Sequence, residues 1–418
     1  MSPSSRYTRS VERSAGFALL LLLSSGCVQV AECVFQCEAS RACSFGLRCG
    51  QDGYCHRDSN TNHCPMVVAD GGTCTVDGGV VCGGPYNYVF VTSQTLTPGS
   101  QYQPGGNSFA SLDDADQICN DLAKTAGLAG TFKAWLSDSQ HHAYDRLKTA
   151  RGWIRPDGRP FANSIDDLAS GKIFYPIRLD ESQVDRLDAA AATGTDESGH
   201  FSQGDWASTT ASYTFGHASA TTSDWTATQY IGMGATHVYC FGVDWNRELV
   251  VQGQPGPIAF LSRDVYPLTT NGGLAAADSF CASQAAQNGL GTNYRALLST
   301  TTAAASSSSR FSPTASWVRP DGIPWANANG LSNGIVLTAL NVDQFGNYHG
   351  TVNGTWLAVW TGGDLPGTVR PANATCENWT SAQTSATVGL GNFSDHFFNW
   401  SSGFGCNHTD TRLYCLAY

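Results

Sequence analysis

Gly152-Trp153-Ile154-Arg155-Pro156-Asp157-Gly158-Arg159-Pro160-Phe161-Ala162-Asn163 is written a second time, with few changes, as Ser316-Trp317-Val318-Arg319-Pro320-Asp321-Gly322-Ile323-Pro324-Trp325-Ala326-Asn327. The match continues on both sides. Val89-Phe90-Val91-Thr92-Ser93 is set against Ile258-Ala259-Phe260-Leu261-Ser262, Ala115-Asp116 through Cys119 against Ala277-Asp278 through Cys281, and Val238-Tyr239-Cys240-Phe241 against Leu413-Tyr414-Cys415-Leu416. Solenoid units run about 20–50 residues, so a spacing of 164 residues means two copies of a whole domain. Each copy is long enough to bury a core of its own.

The order within a copy reads as strand, helix, mixed middle and terminal strand. Strands are expected at Tyr88–Ser93 and Ile258–Ser262, apolar runs bounded by turn residues. Ala115, Ile118, Cys119, Leu122, Ala123 and Ala126 recur at helical spacing and predict a helix over 113–126. Ser111 can cap it, with Asp114 three residues on, and Gly127 stands where a glycine stop belongs. The second copy repeats the stripe with Ala277, Phe280, Cys281 and Ala285, stopping at Gly289. The shared Arg-Pro-Asp-Gly tetrad invites a catalytic or calcium reading. Pro followed by Asp and Gly is better explained as a β-turn, with Trp153 and Trp317 entering the core beside it.

The N-terminus carries a targeting segment, residues 1–26. Arg6, Arg9 and Arg13 precede the apolar run Ala15–Leu23, which is too short to span a bilayer as a helix. Ser24-Ser25-Gly26-Cys27 resembles a bacterial lipobox, with Ser24 where Leu is usual. It predicts lipid attachment at Cys27, hence membrane association through a lipid anchor. Ordinary secretion with cleavage nearby is the alternative. Val28, rather than Asp, fits outer-membrane sorting, with the domains facing either the periplasm or the exterior.

Fifteen cysteines is an odd number for an exported chain. Setting Cys27 aside leaves eight between Cys33 and Cys82, two in the first copy and four in the second, so every module can close on itself. Residues 27–85 have few large apolar side chains, and disulfides must stabilise such a segment. It reads as a stalk module, a zinc module using His56 and His63 being the rival. In each copy one cysteine falls on the helix and one on the last strand, which pairs Cys119 with Cys240 and Cys281 with Cys415. Cys376 and Cys406 fall opposite Gln203 and Ile231, so both are missing from the first copy together, as a bonded pair would be. Gln252–Pro257 is turn-rich, and the expected linker is 246–257, between copies at 86–245 and 258–418.

Charged residues make up 14% of the chain, against about 25% in typical soluble proteins. The formal net charge is −11, and the first copy holds 10 basic and 18 acidic side chains against 6 and 8 in the second. With no basic stripe, the composition argues against nucleic acid as a partner, and against heparin-like polyanions on the same ground.

Ala115-Asp116-x-x-Cys119 followed by Ala126-Gly127-Leu128-Ala129-Gly130-Thr131-Phe132-Lys133-Ala134-Trp135-Leu136-Ser137 resembles the start of endostatin, the C-terminal domain of collagens XV and XVIII. Ser164–Gly171 looks like that family's next helix. In the second copy, Val359-Trp360-x-Gly362, Cys376-Glu377-x-Trp379, Ala386-Thr387-x-Gly389, Cys406-Asn407-His408 and Leu413-Tyr414-Cys415 are similar to its second half. The resemblance implies an α+β fold, two tandem C-type-lectin-like, endostatin-like domains after a small disulfide-rich module. It also implies nested disulfides. Combined with a lipobox, the arrangement resembles lipoproteins of myxobacteria.

The departures bear on function. The family's arginine cluster, its N-terminal zinc histidines and the calcium-sugar motif of true C-type lectins are all missing, so fold transfers and ligand does not. No nucleophile elbow, His-Glu-x-x-His or phosphate loop is present. His141-His142 reads as part of a solvated loop. The expectation is a non-enzymatic envelope protein, without cofactor, that binds an unknown protein or glycan. A structural envelope protein and an enzyme of unrecognised class are the alternatives. Trp379, Phe393, Phe397, Phe398 and Trp400 are the candidate ligand-loop aromatics, with packing as the competing role.

Overall fold

The computed structural model describes residues 85–418, apart from 203–205, 208–211, 229–230, 233–234, 269–271 and 351–355, together with short strands at Arg48–Cys49, Cys55–His56 and Val80–Cys82. The expected leader, Cys27 and the pairing of the eight cysteines of the expected stalk module lie outside the described residues. The chain divides into two compact units, Met1–Val67 and Val68–Tyr418, and both copies fall in the second. In the first unit, Arg48–Cys49 pairs antiparallel with Cys55–His56.

The fold is α+β, with few helices and several small sheets. In the first copy the terminal strand Tyr239–Gly242 lies between Asn87–Val91 and Phe132–Ala134, antiparallel to both. Asn87–Val91 also runs parallel to Trp153–Ile154, which turns back as Pro160–Ala162. In the second copy, Tyr414–Ala417 lies between Ala259–Leu261 and Tyr294–Ala296. The hairpin Ser316–Val318 with Pro324–Asn327 joins through a parallel bridge between Ile258 and Val318. Each copy adds a smaller antiparallel sheet: Ala190–Ala192, Tyr213–His217 and Ile231–Gly232 in the first, and Ala358–Trp360, Ser385–Leu390 and Ser401–Gly405 in the second.

The first-copy helix runs Leu112–Thr125. Ser111 accepts from the Asp114 N–H, Lys124 sits in the last turn and Gly127 takes φ +74°, so the helix dipole is met by opposite charge at both ends. The second-copy helix, Gly273–Ala286, ends before Gly289 at φ +68°. A carboxylate ties each helix to its sheet. Asp116 accepts from Ala134 N–H and Arg146, and Asp278 accepts from Ala296 N–H and Arg310. Ser164 caps Ile165–Ala169, accepting from the Asp167 N–H.

Two expectations change. The opening strands match one residue away from the sequence alignment. Thr92 is the counterpart of Ser262, since their hydroxyls donate to Gln94 O (3.0 Å) and Asp264 O (2.8 Å), and Cys240 faces Phe90 as Cys415 faces Phe260. The linker is also partly structured: Val250–Gln252 pairs antiparallel with Val80–Cys82 at the end of the cysteine-rich segment. Pro255-Gly256-Pro257, outside that strand, is exposed.

Candidate functional site

Among the described residues, three disulfides join Cys119 to Cys240, Cys281 to Cys415 and Cys376 to Cys406. The first two fasten each helix to its terminal strand. The third closes a turn in which Cys376, Glu377, Asn378 and Trp379 all take left-handed backbone angles, φ 48–66°. Non-glycine residues resist that conformation by about 1–2 kcal/mol each. The turn is held by Thr375 Oγ1, which accepts from Asn378 N–H at 3.2 Å, and by Asn378 Oδ1, which accepts from Thr301 N–H at 2.8 Å.

The candidate ligand-loop aromatics do not form a contact face. Trp379 is wholly buried, and its indole N–H donates to Ser299 O, as Trp206 donates to Ser137 O in the first copy. Phe397 and Phe398 lie in the second-copy core beside Trp325 and Tyr414. Phe393 enters the first-copy core, 5.7 Å from the His217 ring. Trp400 is half-buried against Trp356. Burial of four of these rings gives them the packing role: they stabilise the copies, and only Trp400 keeps part of its surface open.

The Arg-Pro-Asp-Gly tetrads form turns, with Gly158 N–H bonded to Arg155 O and Gly322 N–H to Arg319 O, at 2.9 and 2.8 Å. Their arginines are not solvent groups. Arg155 Nη1 donates to Pro176 O and Arg319 Nη1 to Ala339 O, and both guanidinium groups fork onto the aspartate two residues on. His141 is exposed and paired with Asp138, while His142 accepts from Phe201 N–H. Among the described residues, no three His, Cys, Asp or Glu side chains are grouped to hold a metal ion. Also among the described residues, no helix is long and apolar enough to cross a membrane.

A concave site lies beside the exposed face of the first-copy helix. Gln94, Tyr102, Gly105, Asp121, Leu122, Lys124 and Thr125 line a cavity of about 470 Å³. The loop before the helix carries Tyr102 across it. The Tyr102 hydroxyl donates to Asp121 Oδ2 at 2.8 Å and accepts from Gly105 N–H at 3.1 Å, and Gln117 donates to the other Asp121 oxygen. Burial and the Asp121 hydrogen bond raise the Tyr102 pKa, so the phenol stays neutral and donating. Carboxylate, ammonium, amide and hydroxyl groups thus line a cavity at Tyr102, whose ring packs into the first-copy core and whose hydroxyl end meets the cavity, a set suited to a neutral polyhydroxylated ligand. No motif in the sequence singles these residues out. The available signal was a tyrosine inside Pro98–Gly106, a segment of turn formers with no core of its own.

No family model matches the chain, and no curated protein matches it.

Proposed function

We propose that the chain is an exported, lipid-anchored and non-enzymatic cell-envelope protein that recognises a glycan or protein through tandem endostatin-like, C-type-lectin-like domains. The observation that carries recognition is the Tyr102–Asp121 groove, which brings several hydrogen-bonding groups together in one concave site. The disulfides support the non-enzymatic part of the reading: each of the six cysteines in the two copies is bonded, so none offers a thiolate nucleophile. Anchoring rests on the lipobox-like Ser24-Ser25-Gly26-Cys27, and Val28 after it supports an outer-membrane location.

The test uses the chain from Val28 onward on arrays of neutral and acidic glycans and of envelope proteins. Saturable binding to a neutral glycan that Tyr102→Ala and Asp121→Ala abolish is the expected result. Binding that ignores both substitutions would move recognition away from the groove. No binding above background would leave the structural-protein reading, which the hydrogen-bonded contact between the copies favours. Mass spectrometry of the native N-terminus tests the anchor: diacylated Cys27 is expected, and an unmodified Cys27 or cleavage upstream of it would overturn the lipoprotein reading.

A further inference from the structure

The two copies touch through the same surface on each. Gly216 and Gly389 mark equivalent positions, since a Cβ on either would lie 1.8 Å from the carbonyl oxygen of Trp225 or of Phe397. Thr193 and Thr361 confirm the register, each hydroxyl donating to a pair of equivalent carbonyls, Thr214 O with Thr226 O and Thr387 O with Phe398 O. Counting forward from the glycines, Ser219-Ala220-Thr221 is the counterpart of Asn392-Phe393-Ser394. These two tripeptides pair with each other, antiparallel, in a bridge centred on Ala220 and Phe393.

The hydrogen bonds repeat across that centre. Thr221 N–H donates to Asn392 O at 2.8 Å, and Ser394 N–H donates to Ser219 O at 3.1 Å. The hydroxyls of Thr221 and Ser394 donate to the same two carbonyls, at 3.1 and 3.0 Å. A further hydrogen bond joins the copies nearby, outside this reciprocal pattern. Asp180 and Asp343 open equivalent turns, which makes Tyr175 the counterpart of Thr338. Thr338 donates to Phe174 O at 2.7 Å, beside Tyr175. Contacts in which i meets j and the counterpart of j meets that of i define an isologous interface.

The symmetry is broken where it would decide between partners. A small residue faces a large one at the centre, and the Phe393 ring fills the first-copy core beside His217. Asn392 donates to buried Asp224 at 2.6 Å, whereas its counterpart Ser219 has no amide to offer. Arg178 donates to Ser394 Oγ at 3.1 Å, whereas its counterpart Asn341 donates to His349 O. Two first copies would meet alanine to alanine over a void, and two second copies would crowd phenylalanine against phenylalanine.

We infer that the Ser219–Thr221 and Asn392–Ser394 surfaces form a dimer interface built into one chain, whose fitting partner is the unlike copy of the same domain. Each disulfide of the copies closes within a copy, and the strand Val250–Gln252 stays with the first, so only non-covalent contacts join the copies once the linker is cut.

The experiment inserts a specific protease site between Pro255 and Gly256 of the full chain, cleaves it, and follows the fragments by gel filtration and native mass spectrometry at micromolar concentration. One fragment of each kind in a single particle is expected. Ala220→Phe and Phe393→Ala should each weaken pairing by at least about thirtyfold, as truncations or clashes at the centre of an interface do. Uncut variants report folding separately, through retained disulfides and cooperative unfolding. Fragments that part at once in the parent protein would overturn the inference. Pairs of like fragments would overturn its specificity, and unchanged pairing in folded Ala220→Phe would show that the bridge is not the contact.

Discussion

Arg319 grips Asp321 two residues along the chain, donating from Nε at 3.1 Å and from Nη2 at 2.5 Å, with the guanidinium shut off from solvent. Tyr348 adds a third donor to the same carboxylate. Arg155 and Asp157 repeat the fork in the first copy. The repeated sentence is therefore more than a turn. It carries a buried ion pair whose remaining donors fix the carbonyls of Ala339 and Pro176.

Removing one partner of such a pair leaves an uncompensated buried charge. Asp321→Ala is expected to cost about 3–5 kcal/mol, and the double replacement Arg319→Met with Asp321→Leu much less. Chemical denaturation of the three proteins checks this. Burial raises the Asp321 pKa, but the Arg319 charge and the bonds from Arg319 and Tyr348 outweigh it, so the carboxyl sits below its usual range. Its contribution is therefore complete above the unfolded carboxylate range and is lost as pH falls through the lower folded value. Asp321→Ala should flatten the acid limb of the stability profile.

Gly216 and Gly389 sit where the backbone of the neighbouring segment leaves no room, 1.8 Å from a would-be Cβ to a carbonyl oxygen in each copy. Either glycine changed to alanine must displace backbone, and a loss above about 4 kcal/mol is expected. Gly127→Ala serves as the control. It has φ +74° but open space, so only conformational strain of about 1–2 kcal/mol applies. Thermal unfolding of the three variants separates steric from conformational cost.

Features that depend on local periodicity were legible in the sequence, and features that depend on what lies opposite were not. The helix Leu112–Thr125 announced itself through its stripe, its Ser111 cap and its glycine stop. The opening strand gave a one-residue slip because Val89, Phe90 and Val91 are all buried, so no alternation fixed the register. The β-turn was legible in Arg-Pro-Asp-Gly, but the burial of Arg155 and Arg319 was not: arginine is seldom buried without a partner, and Asp157 and Asp321 become partners only through the turn. Packing is the favoured role for Phe393 and Trp379, but composition does not show that Trp379 packs within its own copy while Phe393 fills the neighbouring one. The groove at Tyr102 needed the helix and its preceding loop side by side.

The disulfides differ in the loop they close. Cys281 and Cys415 are 134 residues apart and Cys376 and Cys406 are 30 apart. Chain entropy alone assigns about 4–5 kcal/mol to the long loop and about 3–4 kcal/mol to the short one. Serine pairs at the short loop should lose less than that figure, because Cys376–Trp379 can then leave the left-handed region. Denaturant midpoints of the two double-serine proteins test the ranking, and a larger loss at Cys376–Cys406 would mean that the left-handed turn is not strained.

Acidification should act on the histidines in opposite senses. Burial lowers the pKa of His217, His237 and His349, so each resists protonation in the folded chain. Their neutral packing costs nothing above the unfolded histidine range, and stability falls as pH drops below that range towards their lower folded values. His396 behaves the other way. Its hydrogen bond to Asp395 raises its pKa, so its contribution is present below the unfolded value and lost as pH rises through the folded one. Three depressed groups outweigh one raised and half-exposed group, so net stability should decline between about pH 7 and pH 5. His217→Asn is expected to shallow that decline, and His396→Asn to steepen it, in denaturant titrations at stepped pH. A profile unchanged by His217→Asn would mean that the imidazole beside Phe393 reaches water in solution.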